Sequence, residues 1–396
     1  MKKKVALHNL GCKVNAYEVE AMQQLLENAG YETVPFEEGA DVYVINTCTV
    51  TNIADRKSRQ MLHKAKKMNP DAIVIAAGCY VQTDEGKLDK DEAVDLILGN
   101  NQKTQIVEAL EEYEKEHAKQ VQVIEINHTK EYEELSISST AEHVRAYIKV
   151  QDGCNQFCTY CIIPFARGRV RSRKIEEVLS EVETLAAKGY KEVVLTGIHL
   201  SSYGVDFPKE ERESLLSLIQ AVSRVEGISR IRLGSLEPRI ITEEFLEGIV
   251  KTGKVCPHFH LSLQSGCNKT LKNMNRRYSA QEYAEKCELI RKFYPVPALT
   301  TDVIVGFPQE TEEDFEETLD VVSKCGYDTA FTFLYSRRSG TPAAEMEQIP
   351  QDVAKERFNR LLALVQREGR IRSSRFEGSV QEVLVEEMKK FGIKLA

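Results

Sequence analysis

Three cysteines that lie close together in the sequence constrain this chain more than any other feature. Cys154, Cys158 and Cys161 form a C-x3-C-x2-C run directly after the apolar stretch 146–150. Three thiolates on one short loop can bind three irons of a cubane 4Fe–4S cluster and leave the fourth iron without a protein ligand. Such an iron is open to a further ligand, so the run predicts a reactive site rather than a simple electron carrier.

Two other chemistries compete with this interpretation. Structural zinc requires four ligands, commonly arranged as two separated pairs, and no matching fourth ligand lies near the run. A redox disulfide requires only two cysteines, usually in a C-x-x-C pair. The spacing of the three cysteines favours the open cluster and leaves zinc and disulfide chemistry as alternatives.

Composition sets limits on the rest of the chain. The 396 residues are 42% hydrophobic, which is enough for two or three domains with substantial cores. We identify no signal peptide and no membrane-spanning stretch, so we expect a cytoplasmic protein. The ten cysteines should then be metal ligands or buried thiols rather than disulfides. A net charge of −8 argues against general coating of nucleic acid but allows one basic face.

The N-terminal part of the chain alternates between apolar strands and amphipathic helices. Strands are predicted at 5–10, 42–45, 72–76 and 94–98, with helices at 16–29 and 54–68 and a further helix after the last strand. This order is typical of a parallel α/β sheet. We assign the sheet to residues 1–126.

Three further cysteines follow strands of this predicted sheet. Cys12 follows the first strand, Cys48 the second and Cys79 the third. Right-handed crossovers bring the carboxyl ends of parallel strands to one edge of a sheet, so these cysteines should meet in space. A single cysteine at such a place would be interpreted as a buried thiol. Three of them predict a second three-cysteine cluster with an open iron.

A second domain is predicted at 145–376, after a polar linker at 127–144. Its strands are predicted at 146–150, 192–195, 230–233, 258–263, 300–305 and 329–334, and its helices at 175–188, 212–225, 242–251, 281–293 and 312–325. Six such units are too few to close a barrel of eight, so we expect an open, partial β/α barrel. Its site should lie at the C-terminal ends of the strands, where the N-terminal sheet can cap the opening.

The C-x3-C-x2-C run after the first strand of the predicted barrel resembles the signature of the radical S-adenosylmethionine superfamily. The resemblance implies that the amino and carboxylate groups of S-adenosylmethionine chelate the open iron and that reductive cleavage yields a 5′-deoxyadenosyl radical. Small polar residues and glycines at the strand ends are similar to the segments that hold the methionine and ribose of this cofactor. We assign Thr196, Gly197, Ser235, Glu237, Gln264 and Asp302 to that pocket.

A basic run follows the cysteines without an intervening acid. It contains Arg167, Arg169, Arg171, Arg173 and Lys174. Such a run is often only a solvated face, but beside a radical-generating site it predicts contacts with RNA phosphates, and we assign its four arginines to RNA binding. His199, His258 and His260 are expected to be structural, because no partner lies at metal-ligand spacing in the sequence.

Two groups of three cysteines, one on an α/β sheet and one in a radical S-adenosylmethionine barrel, resemble the methylthiotransferases over nearly the whole chain. Segments 10–15, 46–59 and 152–164 look most like the branch that acts on N6-threonylcarbamoyladenosine in tRNA. The resemblance implies conversion to 2-methylthio-N6-threonylcarbamoyladenosine at position 37, next to the anticodon, in tRNAs that read codons beginning with A. It also implies two 4Fe–4S clusters and S-adenosylmethionine as cofactors.

The resemblance further implies the partners of the protein. These are a tRNA anticodon stem-loop and a low-potential electron donor such as flavodoxin or ferredoxin, with no membrane. An anticodon-loop base is poorly paired, so its extrusion costs less than flipping a base out of a duplex. Members of the family carry a C-terminal RNA-binding β-barrel called TRAM, of which residues 377–396 would form an incomplete start.

Other functions remain as alternatives. A sister enzyme that modifies isopentenyladenosine in tRNA, or one that modifies an aspartate of ribosomal protein S12, would share the six cysteines. The basic run and the residues around Cys48 count against the S12 alternative. An iron–sulfur electron carrier or sensor is the non-enzymatic alternative, but it would need closed clusters, which three cysteines per site do not provide.

Overall fold

A parallel sheet forms the N-terminal part of the protein, whose computed structural model describes residues 2–140, 144–389 and 392–395. The strands are β1 (Lys4–Asn9), β2 (Glu32–Thr33), β3 (Val42–Thr47), β4 (Ile73–Gly78), β5 (Leu96–Leu98) and β6 (Gln120–Gln122). They are all parallel and lie in the order β2-β1-β3-β4-β5-β6. β1, β3 and β4 are therefore neighbours, and their carboxyl ends share one edge.

Helices cover both faces of this sheet. They are α1 (Lys13–Asn28), α2 (Asn52–Met68), α3 (Cys79–Leu88) and α4 (Ile106–Glu116). The hydroxyl of Thr51 caps α2 by accepting a hydrogen bond from the backbone N–H of Ala54. Met22 of α1 packs on one face of the sheet and Leu62 of α2 on the other. Burial of both faces explains why these strands read as continuous apolar runs in the sequence.

The second layer of the molecule is an open barrel. Its strands are β7 (Ala146–Asp152), β8 (Arg171–Ser172), β9 (Glu192–Gly197), β10 (Arg230–Leu233), β11 (His258–His260), β12 (Ala298–Val305) and β13 (Thr329–Leu334). They form two sheets, β10-β9-β7-β8 and β11-β12-β13, in which only β8 runs antiparallel to its neighbour. Parallel bridges from Ile231 to Val255 and from Leu236 to Leu261 join the two sheets. The predicted fold class is confirmed.

The helices of this part alternate with the strands. They are α5 (Ile163–Arg167), α6 (Ile175–Ala187), α7 (Leu215–Ser223), α8 (Glu243–Lys251), α9 (Asn268–Asn273), α10 (Ala280–Phe293), α11 (Glu312–Cys325) and α12 (Gln351–Ser373). Val178 of α6, Leu218 of α7, Ile290 of α10 and Phe315 of α11 pack into one core with the strands. The helix expected at 212–225 is shorter, because the Ser214 hydroxyl caps its first turn.

Helix α1 packs against both the N-terminal sheet and the barrel. Tyr17 and Ala21 pack into the same core as Ile148 of β7 and Val194 of β9. The Tyr17 hydroxyl donates a hydrogen bond to the carbonyl oxygen of Leu135 at 2.6 Å. The start of α1, which follows Cys12, is thereby fixed against the barrel.

The segment predicted as a polar linker at 127–144 is anchored rather than free. Leu135 and Ile137 are buried in the barrel core. The carboxylate of Glu133, also buried, accepts a hydrogen bond from the backbone N–H of Thr104 at 3.1 Å. A few spaced apolar residues are enough to fix a segment whose overall composition is polar. Residues 141–143 of this predicted linker lie outside the described residues.

The end of the chain forms an antiparallel strand pair, β14 (Val385–Lys389) and β15 (Gly392–Leu395). Val380 is 99% exposed, and β14 begins at Val385. Residues 390, 391 and 396 of the predicted TRAM-like segment lie outside the described residues. In the part of the chain that is described, we find no helix of the length and apolarity needed to cross a membrane.

Candidate functional site

Cys154, Cys158 and Cys161 lie on the loop between β7 and α5, at the C-terminal end of the first barrel strand. Gly153 turns the chain into this loop with a φ of 70°, and a Cβ atom there would overlap the carbonyl oxygen of Arg169, so the position requires glycine. The backbone N–H of Cys161 donates to the carbonyl oxygen of Cys158 at 3.0 Å. The turn therefore holds the three thiols on one compact loop.

The segment after α9 supports this cysteine loop. The side-chain amide of Asn275 donates to the carbonyl oxygen of Phe157 at 2.9 Å, and the backbone N–H of Thr159 donates to the carbonyl oxygen of Met274 at 3.1 Å. The guanidinium of Arg276 donates to Sγ of Cys158 at 3.3 Å. Arg276 was not among the site residues predicted from the sequence, in which the adjacent arginines Arg276 and Arg277 were the available signal.

Two of the predicted cofactor residues lie beside the cysteine loop. Thr196 is buried and Gly197 is half-buried at the end of β9. A Cβ on Gly197 would lie 2.8 Å from Oε1 of Gln151, so the absence of a side chain at position 197 lets Gln151 pack closely against this residue. The amide nitrogen of Gln151 donates to the carbonyl oxygen of Gly153 at 2.7 Å, and its oxygen accepts from the backbone N–H of His199 at 2.7 Å. Gln151 therefore couples the end of β9 to the cysteine loop.

The other predicted cofactor residues line the same end of the barrel to different extents. Ser235 is exposed, whereas Glu237 is buried and pairs with Arg239 at 2.7 Å. Gln264 has a left-handed φ of 69°, and its backbone N–H donates to the carbonyl oxygen of Asp302 at 2.8 Å. The assignment of these residues to a cofactor pocket stays a prediction.

Two of the histidines expected to be structural have hydrogen-bond partners on the inner face of β12. Nε2 of His260 lies 3.1 Å from Oδ2 of Asp302, and Nε2 of His258 lies 3.2 Å from Oγ1 of Thr300. Burial lowers the pKa of His258 to about 4, with Arg232 and Lys13 adding to the effect. His199 lies 2.7 Å from Oγ of Ser202. The Asp302 carboxylate near His260 was not visible from spacing in the sequence.

The three N-terminal cysteines lie at the carboxyl edge of the first sheet. Cys12 precedes α1, Cys48 directly follows β3, and Cys79 is the first residue of α3 after β4. A Cβ placed on Gly11 would lie 3.1 Å from Sγ of Cys48, so Cys48 packs against the turn that carries Cys12. Neighbouring parallel strands have brought together cysteines that are distant in the sequence.

Within each cysteine group, neighbouring thiols raise one another's pKa. Burial raises the pKa of Cys48 to about 11, and the nearby thiols of Cys79 and Cys12 add to the rise. In the other group, burial raises the pKa of Cys161 to about 12, with contributions from Cys158 and from Cys154. Binding iron would require these thiols to release their protons.

Both donor sets fit an iron–sulfur cluster in their chemistry. Each group presents three cysteine sulfurs, and a guanidinium donates to one sulfur of each, Arg276 to Cys158 and Arg167 to Cys79. Within residues 2–140, 144–389 and 392–395, no three His, Cys, Asp or Glu side chains converge closely enough to chelate a single metal ion. In a cubane each thiolate binds a different iron, so the three cysteines of a cluster do not need to converge on one metal ion.

The basic run after the barrel cysteines is mostly buried, which argues against RNA contacts for three of its four arginines. Arg167, Arg171 and Arg173 are at most 5% exposed. Arg173 forms an ion pair with Glu181 of α6. Arg169 is exposed, with its guanidinium 4.4 Å from the centre of the Phe157 ring. Of the four arginines assigned to RNA binding, Arg169 is the one that is accessible to a phosphate.

Arg167 instead meets two buried carboxylates. Its Nη1 lies 2.8 Å from Oε1 of Glu18 and 3.1 Å from the carboxylate of Asp152. Burial alone would raise the pKa of Glu18, but Arg167, Lys103 and Lys149 hold it well below its ordinary value. The partners of Arg167 come from α1 and β7, which are distant from the basic run in the sequence. The run therefore looked like a group of surface arginines without acidic partners.

Two family descriptions match the chain. Residues 148–322 match the radical SAM superfamily, and residues 4–99 match a family described as uncharacterized protein family UPF0004. The first range contains the barrel cysteines, and the second contains the cysteines of the N-terminal sheet.

Curated relatives resemble the chain over almost its whole length. The threonylcarbamoyladenosine tRNA methylthiotransferase MtaB of Bacillus subtilis is 44% identical over 97% of this chain and 85% of the relative. The protein of the same name from Aquifex aeolicus is 44% identical over 92% of this chain and 88% of its own. A tRNA-2-methylthio-N(6)-dimethylallyladenosine synthase of Clostridium perfringens is 39% identical over 97% of this chain and 87% of its own.

Solved structures agree on the fold. The radical S-adenosylmethionine methyltransferase TsrM from Kitasatospora setae matches with a TM-score of 0.62 at 16% identity, over 87% of this chain and 74% of that one. This likeness shows the fold alone, whereas the curated relatives confirm the resemblance that the cysteine motifs indicated. The chain belongs to the radical S-adenosylmethionine tRNA methylthiotransferase family.

Proposed function

We propose that this protein attaches a methylthio group to C2 of N6-threonylcarbamoyladenosine next to the anticodon of tRNA. The observation that carries the proposal is the 44% identity, over 97% of the chain, to a relative named for this activity. The relative named for dimethylallyladenosine is 39% identical over the same share. Membership in an enzyme family also sets aside an electron carrier or sensor as the function.

Two iron–sulfur clusters and S-adenosylmethionine are the cofactors in this proposal. Cys154, Cys158 and Cys161 would hold one cluster, and the N-terminal cysteines Cys12, Cys48 and Cys79 would hold the second. When bound, these groups supply the radical and the sulfur chemistry, because side-chain acids and bases at neutral pH do not remove hydrogen from an aromatic carbon.

The residues of the chain would position the cofactor at the mouth of the barrel. Gln151 fixes the Gly153 turn and the backbone of His199 at once, so the end of β9 and the cysteine loop keep one relative position. Thr196, Gly197, Ser235, Glu237, Gln264 and Asp302 are proposed to line the S-adenosylmethionine pocket. α1 packs against the barrel, which supports the N-terminal cysteines being directed toward the same mouth.

RNA would approach next to the barrel cysteine loop. Arg169 is exposed there, and Phe157 contacts both its guanidinium and the ring of Phe165, which is 43% exposed. A cation for a phosphate and an aromatic surface for an unpaired base are features of proteins that bind single-stranded RNA. Because the proposed substrate is tRNA, we infer that the reaction takes place in the cytoplasm. The proposed electron donor is a low-potential protein such as flavodoxin or ferredoxin.

The test compares two substrates that differ only in the modified adenosine. Reconstituted protein is incubated with S-adenosylmethionine, dithionite and tRNA that carries either N6-threonylcarbamoyladenosine or dimethylallyladenosine. Mass spectrometry of the digested nucleosides should find the 2-methylthio product only with the first tRNA. A product only with the second would overturn the substrate assignment, and no product with either, despite formation of 5′-deoxyadenosine, would leave a protein substrate such as ribosomal protein S12.

A further inference from the structure

We propose that Arg167 is a positioning residue for the N-terminal cluster, holding Sγ of Cys79 through a hydrogen bond and tying this cluster site to the loop of the barrel cysteines. The proposal rests on the second cluster of the proposed function. Arg167 lies on α5 of the barrel, whereas Cys79 begins α3 of the N-terminal sheet. One side chain therefore reaches across the boundary between the two layers.

Every N–H group of the Arg167 guanidinium has an acceptor within reach. Nε donates to Sγ of Cys79 at 3.2 Å. Nη1 donates to Glu18 at 2.8 Å and to Asp152 at 3.1 Å. Nη2 donates to Oδ1 of Asn15 at 2.6 Å and to Glu18 at 3.1 Å. The side chain is fully buried, so these contacts fix the guanidinium in one orientation.

Asn15 connects Arg167 to the turns of the other two N-terminal cysteines, Cys12 and Cys48. Its Oδ1, which accepts from Arg167, lies 3.7 Å from Sγ of Cys12. Its amide nitrogen donates to the carbonyl oxygen of Leu10 at 2.7 Å and to that of Thr47 at 3.0 Å. Leu10 and Thr47 precede the turns that carry Cys12 and Cys48. The three turns thus share one network, with Arg167 at its centre.

The same guanidinium holds the start of the barrel cysteine loop. Asp152 is the last residue of β7, and its Oδ1 accepts from the backbone N–H of Gly153 at 2.8 Å, immediately before Cys154. Arg167 Nη1 lies 3.1 Å from both oxygens of Asp152. Movement at one cysteine group would therefore disturb hydrogen bonds that hold the other.

A second donor lies beside Cys79. The amide nitrogen of Asn100 is 3.6 Å from Sγ of Cys79 and 2.7 Å from the carbonyl oxygen of Ala166, the residue before Arg167. Nζ of Lys103 donates to Oδ1 of Asn100 at 2.6 Å and orients that amide. Cys79 is thus provided with hydrogen-bond donors on a buried surface, an arrangement that tunes iron–sulfur clusters.

The charges around Arg167 also favour an anionic group at Cys79. The buried network contains the cations Arg167, Arg171, Lys103 and Lys149 and the carboxylates Glu18, Asp152 and Glu133. One positive charge is in excess, and it lies away from water, where screening is weak. Reduction adds a negative charge to a cluster, so loss of the Arg167 donor should make reduction harder.

The experiment uses full-length protein in which Cys154, Cys158 and Cys161 are replaced by Ala, so that bound iron belongs to the N-terminal site. In this background we compare Arg167→Lys and Arg167→Gln. Arg171→Gln serves as the matched control, because Arg171 is equally buried but donates to the carbonyl oxygens of Arg167 and Arg169, not to a sulfur. The readouts are iron per chain, the midpoint potential in a dithionite titration and the EPR spectrum of the reduced protein.

The potential should shift to more negative values in both Arg167 variants, more in Arg167→Gln than in Arg167→Lys, and the EPR line shape should change. Arg171→Gln removes one charge of the same network but no donor to a sulfur, so it should shift the potential less than Arg167→Gln and leave the EPR line shape unchanged. Iron-loaded Arg167 variants with unchanged potential and spectrum would overturn the proposal, as would loss of folding in both, which would assign Arg167 to the fold alone. Absence of iron from the background protein itself would refute the second cluster instead, so the two failures are distinguishable.

Discussion

Arg338 of the barrel forms a buried ion pair with Asp55 of the N-terminal sheet domain, across the boundary between the two layers. Arg338 follows β13, and Asp55 lies in the first turn of α2, shortly after Cys48. The same guanidinium donates to Oγ1 of Thr49, and Oγ1 of Thr49 donates to Asp55 at 2.7 Å. The loop that carries Cys48 is therefore fixed by a residue that follows the last strand of the barrel.

Replacing Arg338 by Ala should destabilise the protein by about 3–5 kcal/mol, because it leaves the carboxylate of Asp55 buried without its partner. The loop at Cys48 should also loosen, so the N-terminal site should retain less iron. Urea unfolding and iron analysis measure the two effects. The control is Arg367→Ala, which removes a pair between Glu368 and an arginine side chain that is 64% exposed and should cost less than about 1 kcal/mol. Equal stability of the two variants would contradict this role of Arg338.

Replacing Cys154, Cys158 or Cys161 by Ala should abolish reductive cleavage of S-adenosylmethionine, because two thiolates would no longer hold a cubane with an open iron. 5′-Deoxyadenosine is measured by chromatography after addition of dithionite. The control is Cys256→Ala, which removes a buried thiol outside both groups and should retain cleavage. Normal 5′-deoxyadenosine formation in any of the three variants would refute the assignment of the barrel cluster.

Replacing Cys12, Cys48 and Cys79 together by Ala should remove roughly half of the iron and stop methylthiolation. Cleavage of S-adenosylmethionine should persist, because it depends on the barrel cysteines. Iron, 5′-deoxyadenosine and the 2-methylthio nucleoside are measured on the same preparation. A methylthio product in spite of the lost iron would mean that the sulfur comes from elsewhere and that the N-terminal sheet is only a cap.

The substitution Arg169→Glu should weaken tRNA binding and flatten the plot of log affinity against log salt by about one unit, which is the effect of losing one phosphate contact. Cleavage of S-adenosylmethionine without tRNA should remain close to normal. Lys251→Glu makes the same change of charge on the outer helix α8, where the side chain is 78% exposed, and should leave the salt slope unchanged. Indistinguishable slopes for the two variants would show that Arg169 is an ordinary surface charge.

His258 and His199 should make the free energy of unfolding fall as the pH is lowered from about 6.5 to about 4. Burial lowers the pKa of His258 and of His199 to about 4, so in this interval the unfolded chain binds protons that the folded protein does not. Each histidine should contribute on the order of 3 kcal/mol to the difference in stability between pH 6.5 and pH 4. His258→Gln should reduce the pH dependence of urea unfolding, and adding His199→Gln should reduce it further. An unchanged slope in the double variant would contradict this origin.

Strand periodicity and the position of cysteines after strands were sufficient to predict the fold class. The sequence placed Cys12, Cys48 and Cys79 at one sheet edge because the order of parallel strands follows from general rules of connection. The short edge strands β2 and β6 escaped prediction, because two or three residues carry no readable period. Their pairing depends on neighbours rather than on their own composition.

Interactions across the layers could not be predicted. Arg167 looked like a surface cation because its partners, Glu18 and Asp152, come from α1 and β7. Arg338 gave no signal for the same reason, since Asp55 is far away in the sequence. Side chains whose role depends on tertiary contact, rather than on a local motif, are recognised only once the two layers are seen together.

The two cysteine groups impose different orders of assembly. The barrel thiols lie on one short loop, so a metal can gather them before the surrounding strands are complete. Those of the N-terminal sheet follow three separate strands, β1, β3 and β4, and meet only after those strands have paired. The second cluster, if bound there as proposed, would act as a cross-link between distant parts of the chain, and its binding free energy would add to the folding free energy. Iron starvation would therefore affect the conformational stability of the N-terminal layer more than that of the barrel.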